Sequence, residues 1–168
     1  MAINAAARAG LALRNLLFTA VVPGLGGVYG PWLILRRRST SPTPVAWQAV
    51  IVIAIGLVLY FSCQWVFATV GRGTPGIWDA PRRLVEVGPY RWVRNPIYIG
   101  AELIVLGEAW LFLSIDLLIY AGVLAVAFHA LVVAYEEPRL RARFGEEYDD
   151  YRRRVRRWIP HLPVARGR

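Results

Sequence analysis

The chain has no lysine and one cysteine, and it lacks the alternation of outward apolar and inward polar residues that a transmembrane barrel requires. A single thiol, Cys63, excludes an internal disulfide and offers no second sulfur to a metal, so no metal site is expected. Within its apolar run Cys63 reads as a small buried residue. Met1 to Gly10 is too weakly apolar for a secretory signal and shows no convincing cleavage site, so insertion is expected through the first apolar span. All twenty basic residues are arginine, against eleven acids, for a formal net charge of +9. Biased, GC-rich coding explains the uniform choice of arginine more simply than function does. Because these charges flank apolar runs, anionic lipid headgroups are nearer partners than nucleic acid, and no nucleic-acid role is expected.

What the chain has in excess is hydrocarbon: 57% of its 168 residues are hydrophobic, and they are grouped in long runs. Backbone polar groups in a bilayer must be satisfied within the segment itself, so the fold class is all-α, a polytopic membrane helix bundle. Four spans are expected, at about 11–35, 45–70, 96–113 and 117–135, forming one membrane-embedded domain over 1–168. Pro23-Gly24 and Gly26-Gly27 should kink the first span or admit a close neighbour. Residues 71–88 form a polar loop, Pro96 suits a first helical turn, and Ser114-Ile115-Asp116 reads as the turn between the third and fourth spans. The tail from Arg139 carries ten arginines against four acids. In it Phe144, Tyr148, Tyr151, Val155 and Trp158 recur every three to four residues, the stripe of an amphipathic basic C-terminal helix lying in the headgroup layer. Four crossings put the N-terminus, the 71–95 loop and the tail on one side, which their arginines mark as cytoplasmic. Arg36-Arg37-Arg38 then faces outward, against that bias.

Ionisable residues within spans are costly and call for a reason: Glu102, Glu108 and His129, with Glu136 and Glu137 at a span end. Tyr98 and Glu102 are four apart and share a helical face, as do His129 and Glu136, seven apart. Two polar stripes on the adjacent helices of a hairpin can line one pocket. Glu102 and Glu108 can instead fix helix packing, and for His129 an interhelical hydrogen bond is the simpler reading. Two acids at a helix C-terminus oppose the macrodipole, which hints at a cationic ligand. Tyr90, Trp92 and Tyr98 can be an interfacial aromatic belt. Arg94, beside Asn95-Pro96 at a helix start, is placed to bind a carboxylate with both arms of its guanidinium.

The series Gly88-Pro89-Tyr90, Val93-Arg94-Asn95-Pro96-x-Tyr98-x-Gly100, Tyr135-Glu136-Glu137-Pro138 and Phe144-Gly145-Glu146-Glu147-Tyr148-x-x-Tyr151 with Ile159-Pro160 resembles the integral-membrane methyltransferases. That superfamily includes the isoprenylcysteine carboxyl methyltransferases and the phosphatidylethanolamine N-methyltransferases. The resemblance covers the C-terminal half in the family's order. It implies an S-adenosylmethionine pocket at the cytoplasmic end of the hairpin, with a cofactor-binding core over about 71–160. No Gly-x-Gly-x-x-Gly lies between a strand and a helix, as the soluble dinucleotide-type fold requires, in agreement. By matching positions, Tyr90, Arg94, Asn95, Pro96, Tyr98, Gly100, Glu136 and Glu137 would contact the cofactor. Ala54-Ile55-Gly56 resembles a small-x-Gly step on the preceding span of the lipid enzymes. Asn95 stands where the prenylcysteine enzymes typically have His, and Leu131-Val132-Val133 lacks the Arg they carry just before the glutamates, so the acceptor stays open between a lipidated carboxylate and a phospholipid amine.

The activity this implies is methyl transfer from S-adenosylmethionine to a lipid or lipidated acceptor entering sideways from the bilayer, in a bacterial inner membrane with the site facing the cytoplasm. Arg94 would grip the methionine carboxylate, Glu136 and Glu137 the ammonium or ribose, and the acceptor head would meet the sulfonium near Tyr98 and Glu102. Arg94, Tyr98 and Glu102 are thus the catalytic candidates. Two alternatives stand beside this reading. One is an NADPH-dependent membrane reductase of the steroid 5α-reductase kind, for which the chain has few polar residues; the other is a non-catalytic four-helix adaptor, which needs neither Arg94 nor paired glutamates.

Overall fold

A computed structural model describes residues 24–37, 47–71 and 83–160, and every regular element among them is helical. A π-helical turn, Gly24–Tyr29, leads into α1 (Gly30–Arg36). Helix α2 (Trp47–Val66) continues through a second π-turn, Phe67–Gly71. A 3₁₀ turn, Gly88–Arg91, precedes the hairpin of α3 (Pro96–Leu111) and α4 (Ile115–Leu131). The π-turn Val132–Glu136 carries α4 unbroken into α5 (Glu137–Phe144), and α6 (Glu146–Arg154) follows. The expected first span falls mostly outside the described residues, as do the connector at 38–46 and most of the 71–88 loop.

Among the described residues two helices are long and apolar enough to cross a bilayer: Trp47–Gly71, 25 residues at mean hydropathy 2.3, and Ile115–Phe144, 30 residues at 2.4. At 1.5 Å per residue the shorter extends about 37 Å, more than the roughly 30 Å hydrocarbon core. Only 22% and 17% of their apolar stretches are buried within the molecule, which is the reverse of a soluble core helix. Val50, Ile55, Val58, Phe61 and Trp65 of α2 point outward, as do Leu118, Ile119, Val123 and Val126 of α4. Exposure of that extent needs hydrocarbon outside it. Of the four expected spans, these two have the required length among the described residues. With 16 residues, α3 reaches about 24 Å and is short for an independent crossing.

Helix α3 lies against α2 because both carry glycine where they meet. A Cβ on Gly56 would sit 2.7 Å from the carbonyl oxygen of Gly100, and one on Gly100 would sit 2.9 Å from that of Gly56. Gly107 repeats the contact two turns on, against Ala49 and Ile53. Small residues let backbones approach where lipid supplies no hydrophobic drive for helix association. The Ala54-Ile55-Gly56 step therefore serves helix contact. Ser114 caps α4 by accepting from the Leu117 amide at 3.3 Å, so the hairpin turn falls on Phe112 and Leu113 rather than on Ser114 to Asp116. Tyr120 donates to the Gly26 carbonyl at 2.8 Å, fastening the segment before α1 to α4.

The tail departs from expectation. Instead of one amphipathic helix in the headgroups, it forms two short helices broken at Gly145, whose φ of +54° suits glycine. Tyr148, Tyr151 and Val155 are buried together with Leu84, Leu140 and Phe144 against them. The periodic stripe is thus a small core folded under the loop before α3. Period alone cannot separate an apolar face that meets lipid from one that meets protein.

Replacing Gly56 with Ala should lower stability in detergent by about 1 to 3 kcal/mol, the usual cost of overfilling a packed contact. Gly122→Ala, where a Cβ meets nothing within 4 Å, should stay neutral or gain slightly. Thermal melts of both variants check this, and equal melting points would remove the glycine contact as the reason for α2–α3 apposition.

Candidate functional site

The hairpin returns the chain, so the N-terminus of α3 and the junction of α4 with α5 lie at the same end of the molecule. Pro96 opens α3, where its missing amide hydrogen costs nothing. Just before it, the Arg94 amide donates to the Arg156 carbonyl at 2.9 Å, and the Asn95 side-chain amide donates to the Arg157 carbonyl at 3.2 Å. Those bonds draw the segment after α6 across the start of α3. Tyr90 is held below by Tyr151, whose hydroxyl donates to the Tyr90 carbonyl at 2.8 Å, and by edge contact with Phe67 at 5.4 Å.

Glu137 is buried at the centre. Its Oε1 lies 3.0 Å from Arg94 Nη1, and Arg157 grips both oxygens, Nε to Oε1 at 2.7 Å and Nη2 to Oε2 at 2.9 Å. Arg94 Nη1 also donates to the Tyr148 hydroxyl at 3.5 Å, while its Nε is buried with no hydrogen-bond partner. Glu136, one residue earlier, accepts from the Tyr98 hydroxyl. The Tyr98 ring rests on Phe128 at 4.7 Å and meets Trp158 edge-on at 6.5 Å, and Trp158 Nε1 donates to His129 Nδ1 at 3.1 Å.

Two cavities adjoin this cluster, and Tyr98 lines both. One, about 70 Å³, has Tyr90, Arg94, Asn95, Tyr98 and Glu136 in its wall with apolar partners that include Phe67 and Leu140. The other, about 240 Å³, lies between α3 and α4 and is lined by Tyr98, Ile99, Glu102, Phe128, His129 and Trp158, with Ala125. Glu102 and Glu108 each keep one carboxylate oxygen buried without a hydrogen-bond partner.

Outside the spans, the site's phenols are held neutral. Burial pushes Tyr90 well above the ordinary tyrosine range, and the neighbouring Cys63 adds to this. Burial likewise raises Tyr151, and the negative charge of nearby Glu86 adds to this. Tyr148 is raised by burial and by Glu137, an effect that Arg94 opposes. The hydrogen bond to Glu137 raises Arg157, so that guanidinium stays charged.

Of the residues singled out from sequence, Tyr90, Arg94, Asn95, Tyr98 and Glu136 share one cavity wall. Glu137 stands behind Arg94, occupied by two guanidinium groups. Pro96 starts the helix and Gly100 faces Gly56, so both shape the backbone rather than the cavity. Glu102 lines the larger void, one turn along from Tyr98. His129 accepts its hydrogen bond from Trp158 on the non-helical segment after α6, not from a neighbouring helix. Sequence reading missed Arg157, Phe128 and the inward role of Trp158. Arg157 is one of ten arginines in the tail with no spacing to mark it, and Phe128 sits in an unbroken apolar run.

Among the described residues, a membrane helix hairpin closes a polar site of arginines and glutamates at one end. Residues 45–147 match the family model described as phospholipid methyltransferase, and the chain belongs to that family. The match spans both halves of the site, from α2 through Glu136 and Glu137. Among curated relatives, the nickel-cobalt-cadmium resistance protein NccN of Alcaligenes xylosoxydans xylosoxydans is 30% identical over 165 residues, covering 79% of this chain and 76% of the relative.

Removing the shared carboxylate leaves two guanidinium groups facing each other. Glu137→Gln should therefore cost about 3 kcal/mol of stability, as breaking a buried ion pair does. Chemical denaturation in mild detergent checks this, and an unchanged midpoint would mean that the two arginines are not held by Glu137.

Proposed function

We propose that the protein is an S-adenosylmethionine-dependent methyltransferase acting on a lipid or lipidated acceptor. The observation that carries the reading is the position of Tyr98, a wall shared between a polar cavity with Arg94 and Glu136 and a larger, mainly apolar one with Glu102. A reaction between a water-soluble donor and a membrane-borne acceptor needs two such compartments in contact.

The residues present fit the donor's chemistry. Arg94 offers a buried, unpartnered Nε to a carboxylate, and Glu136 offers negative charge to an ammonium or a ribose hydroxyl. The polar cavity of about 70 Å³ accommodates only part of such a molecule, since sites for ligands of that size run to roughly 300 Å³ or more. Binding therefore requires the walls around Phe67, Leu140 and Tyr98 to part. When bound, the cofactor supplies an electrophilic methyl group on a sulfonium, transferred by in-line displacement. The protein's contribution is alignment and exclusion of water, which can provide about 7 to 11 kcal/mol, and no covalent protein nucleophile is needed.

In this reading the acceptor reaches the larger cavity from the bilayer between α3 and α4, with its polar head against Tyr98 and Glu102. A carboxylate or thiolate acceptor needs no base; an amine must first lose a proton, which its desolvation beside lipid favours. The cofactor-binding core comprises about residues 71–160, in an inner membrane with the site toward the cytoplasm.

Incubating membranes with methyl-labelled cofactor tests the proposal. Label should appear in the lipid or lipoprotein fraction, with base-labile label identifying an ester. Arg94→Leu should reduce incorporation roughly hundredfold, as loss of substrate positioning does. Absence of label from every membrane fraction with the parent protein present would overturn the assignment.

A further inference from the structure

An arginine already paired with a carboxylate is a poor anion receptor. In the Arg94–Glu137 contact the charges cancel, and an approaching carboxylate would meet the field of Glu137 at close range. Arg157 changes that balance. Its guanidinium forks onto both oxygens of the same carboxylate, at 2.7 and 2.9 Å, the geometry in which arginine binds carboxylate best. Two guanidinium groups on one carboxylate leave one positive charge in the cluster. Among the described contacts, Arg94 Nε is a buried donor without a partner, left for an incoming anion.

We infer that Arg157 is a positioning residue for the methyl donor: by clamping Glu137 it aims Arg94 and keeps the cluster positive toward the donor's carboxylate. This rests on the reading that the donor binds beside Arg94. Arg157 lies beyond residues 45–147, the stretch matched by the family model, and its guanidinium is bonded to Glu137.

Arg157 also belongs to a fastened strap. Its own carbonyl accepts from the Asn95 side chain, and the Arg156 carbonyl accepts from the Arg94 amide. The next residue, Trp158, lines the acceptor-side cavity and donates to His129. Both carbonyl acceptors are main-chain groups, so a change of side chain at 157 leaves them in place. Loss of the guanidinium can thus be separated from loss of the strap.

The test is calorimetric titration of the full chain in detergent with two probes: S-adenosylhomocysteine, which carries the amino-acid end, and methylthioadenosine, which lacks it. Arg157→Leu should weaken S-adenosylhomocysteine roughly tenfold, in the range seen when a residue that orients a direct ligand contact is lost, and leave methylthioadenosine unchanged. Arg157→Lys should fall between, keeping charge but losing the fork. In an Arg94→Leu background the same Arg157→Leu change should have no further effect on S-adenosylhomocysteine, because both act on one contact. Equal weakening of both probes, equal losses in the two backgrounds, or parent-like affinity in Arg157→Leu would each overturn the inference while leaving the methyltransferase reading intact. A parent protein that binds neither probe would overturn that reading itself, and this inference with it. Should Arg157→Leu fail to fold, the two-probe comparison on Arg157→Lys decides by the same criteria.

Discussion

Glu137 sits between Arg94 and Arg157, and that shared carboxylate ties three distant stretches of chain into one site. Arg94 comes from the loop before α3, Glu137 from the far end of the hairpin, and Arg157 from the tail. Charges this buried are stable only when paired, so the carboxylate forces its neighbours into register. Around that point the remaining contacts follow: main-chain carbonyls of Arg156 and Arg157 bind the start of α3, and Tyr148 and Tyr151 fill the space beneath.

The second constraint is steric. Gly56 against Gly100 sets the distance between α2 and α3, and Tyr60, Cys63, Tyr90 and Ile97 pack just beyond it. Since Gly100 is one turn from Pro96, close approach there fixes the direction in which the start of α3 enters the site. The polar residues can therefore be few, because their backbone is already placed.

Much of this was legible in the residues themselves. Apolar runs gave the helices, Pro96 marked the start of α3, and Arg94 at a helix start, Tyr98 one turn before Glu102, and Glu136 at a span end stood out beside the apolar runs. The tail was read wrongly in direction, since a stripe of Tyr148, Tyr151 and Val155 has the same spacing whether it faces lipid or protein. Glu137 looked equivalent to Glu136, yet one turns to two arginines and the other to a tyrosine. Adjacent helical positions point about 100° apart, and only the tertiary fold says what lies in each direction. Arg157 was hidden by abundance, one guanidinium among many, and its role depends on the break at Gly145 that redirects the chain into α6.

The π-turn over Val132–Glu136 gives an unremarkable stretch of valine and alanine a strict winding. The wider winding there takes up one more residue than a regular turn while the rod from Ile115 to Phe144 stays continuous. Were the same residues wound as an ordinary α-helix, everything after them would swing by roughly 100° about the axis, carrying both glutamates off their partners. A segment that looks interchangeable in chemistry thus sets, by its winding alone, the direction in which both glutamates point.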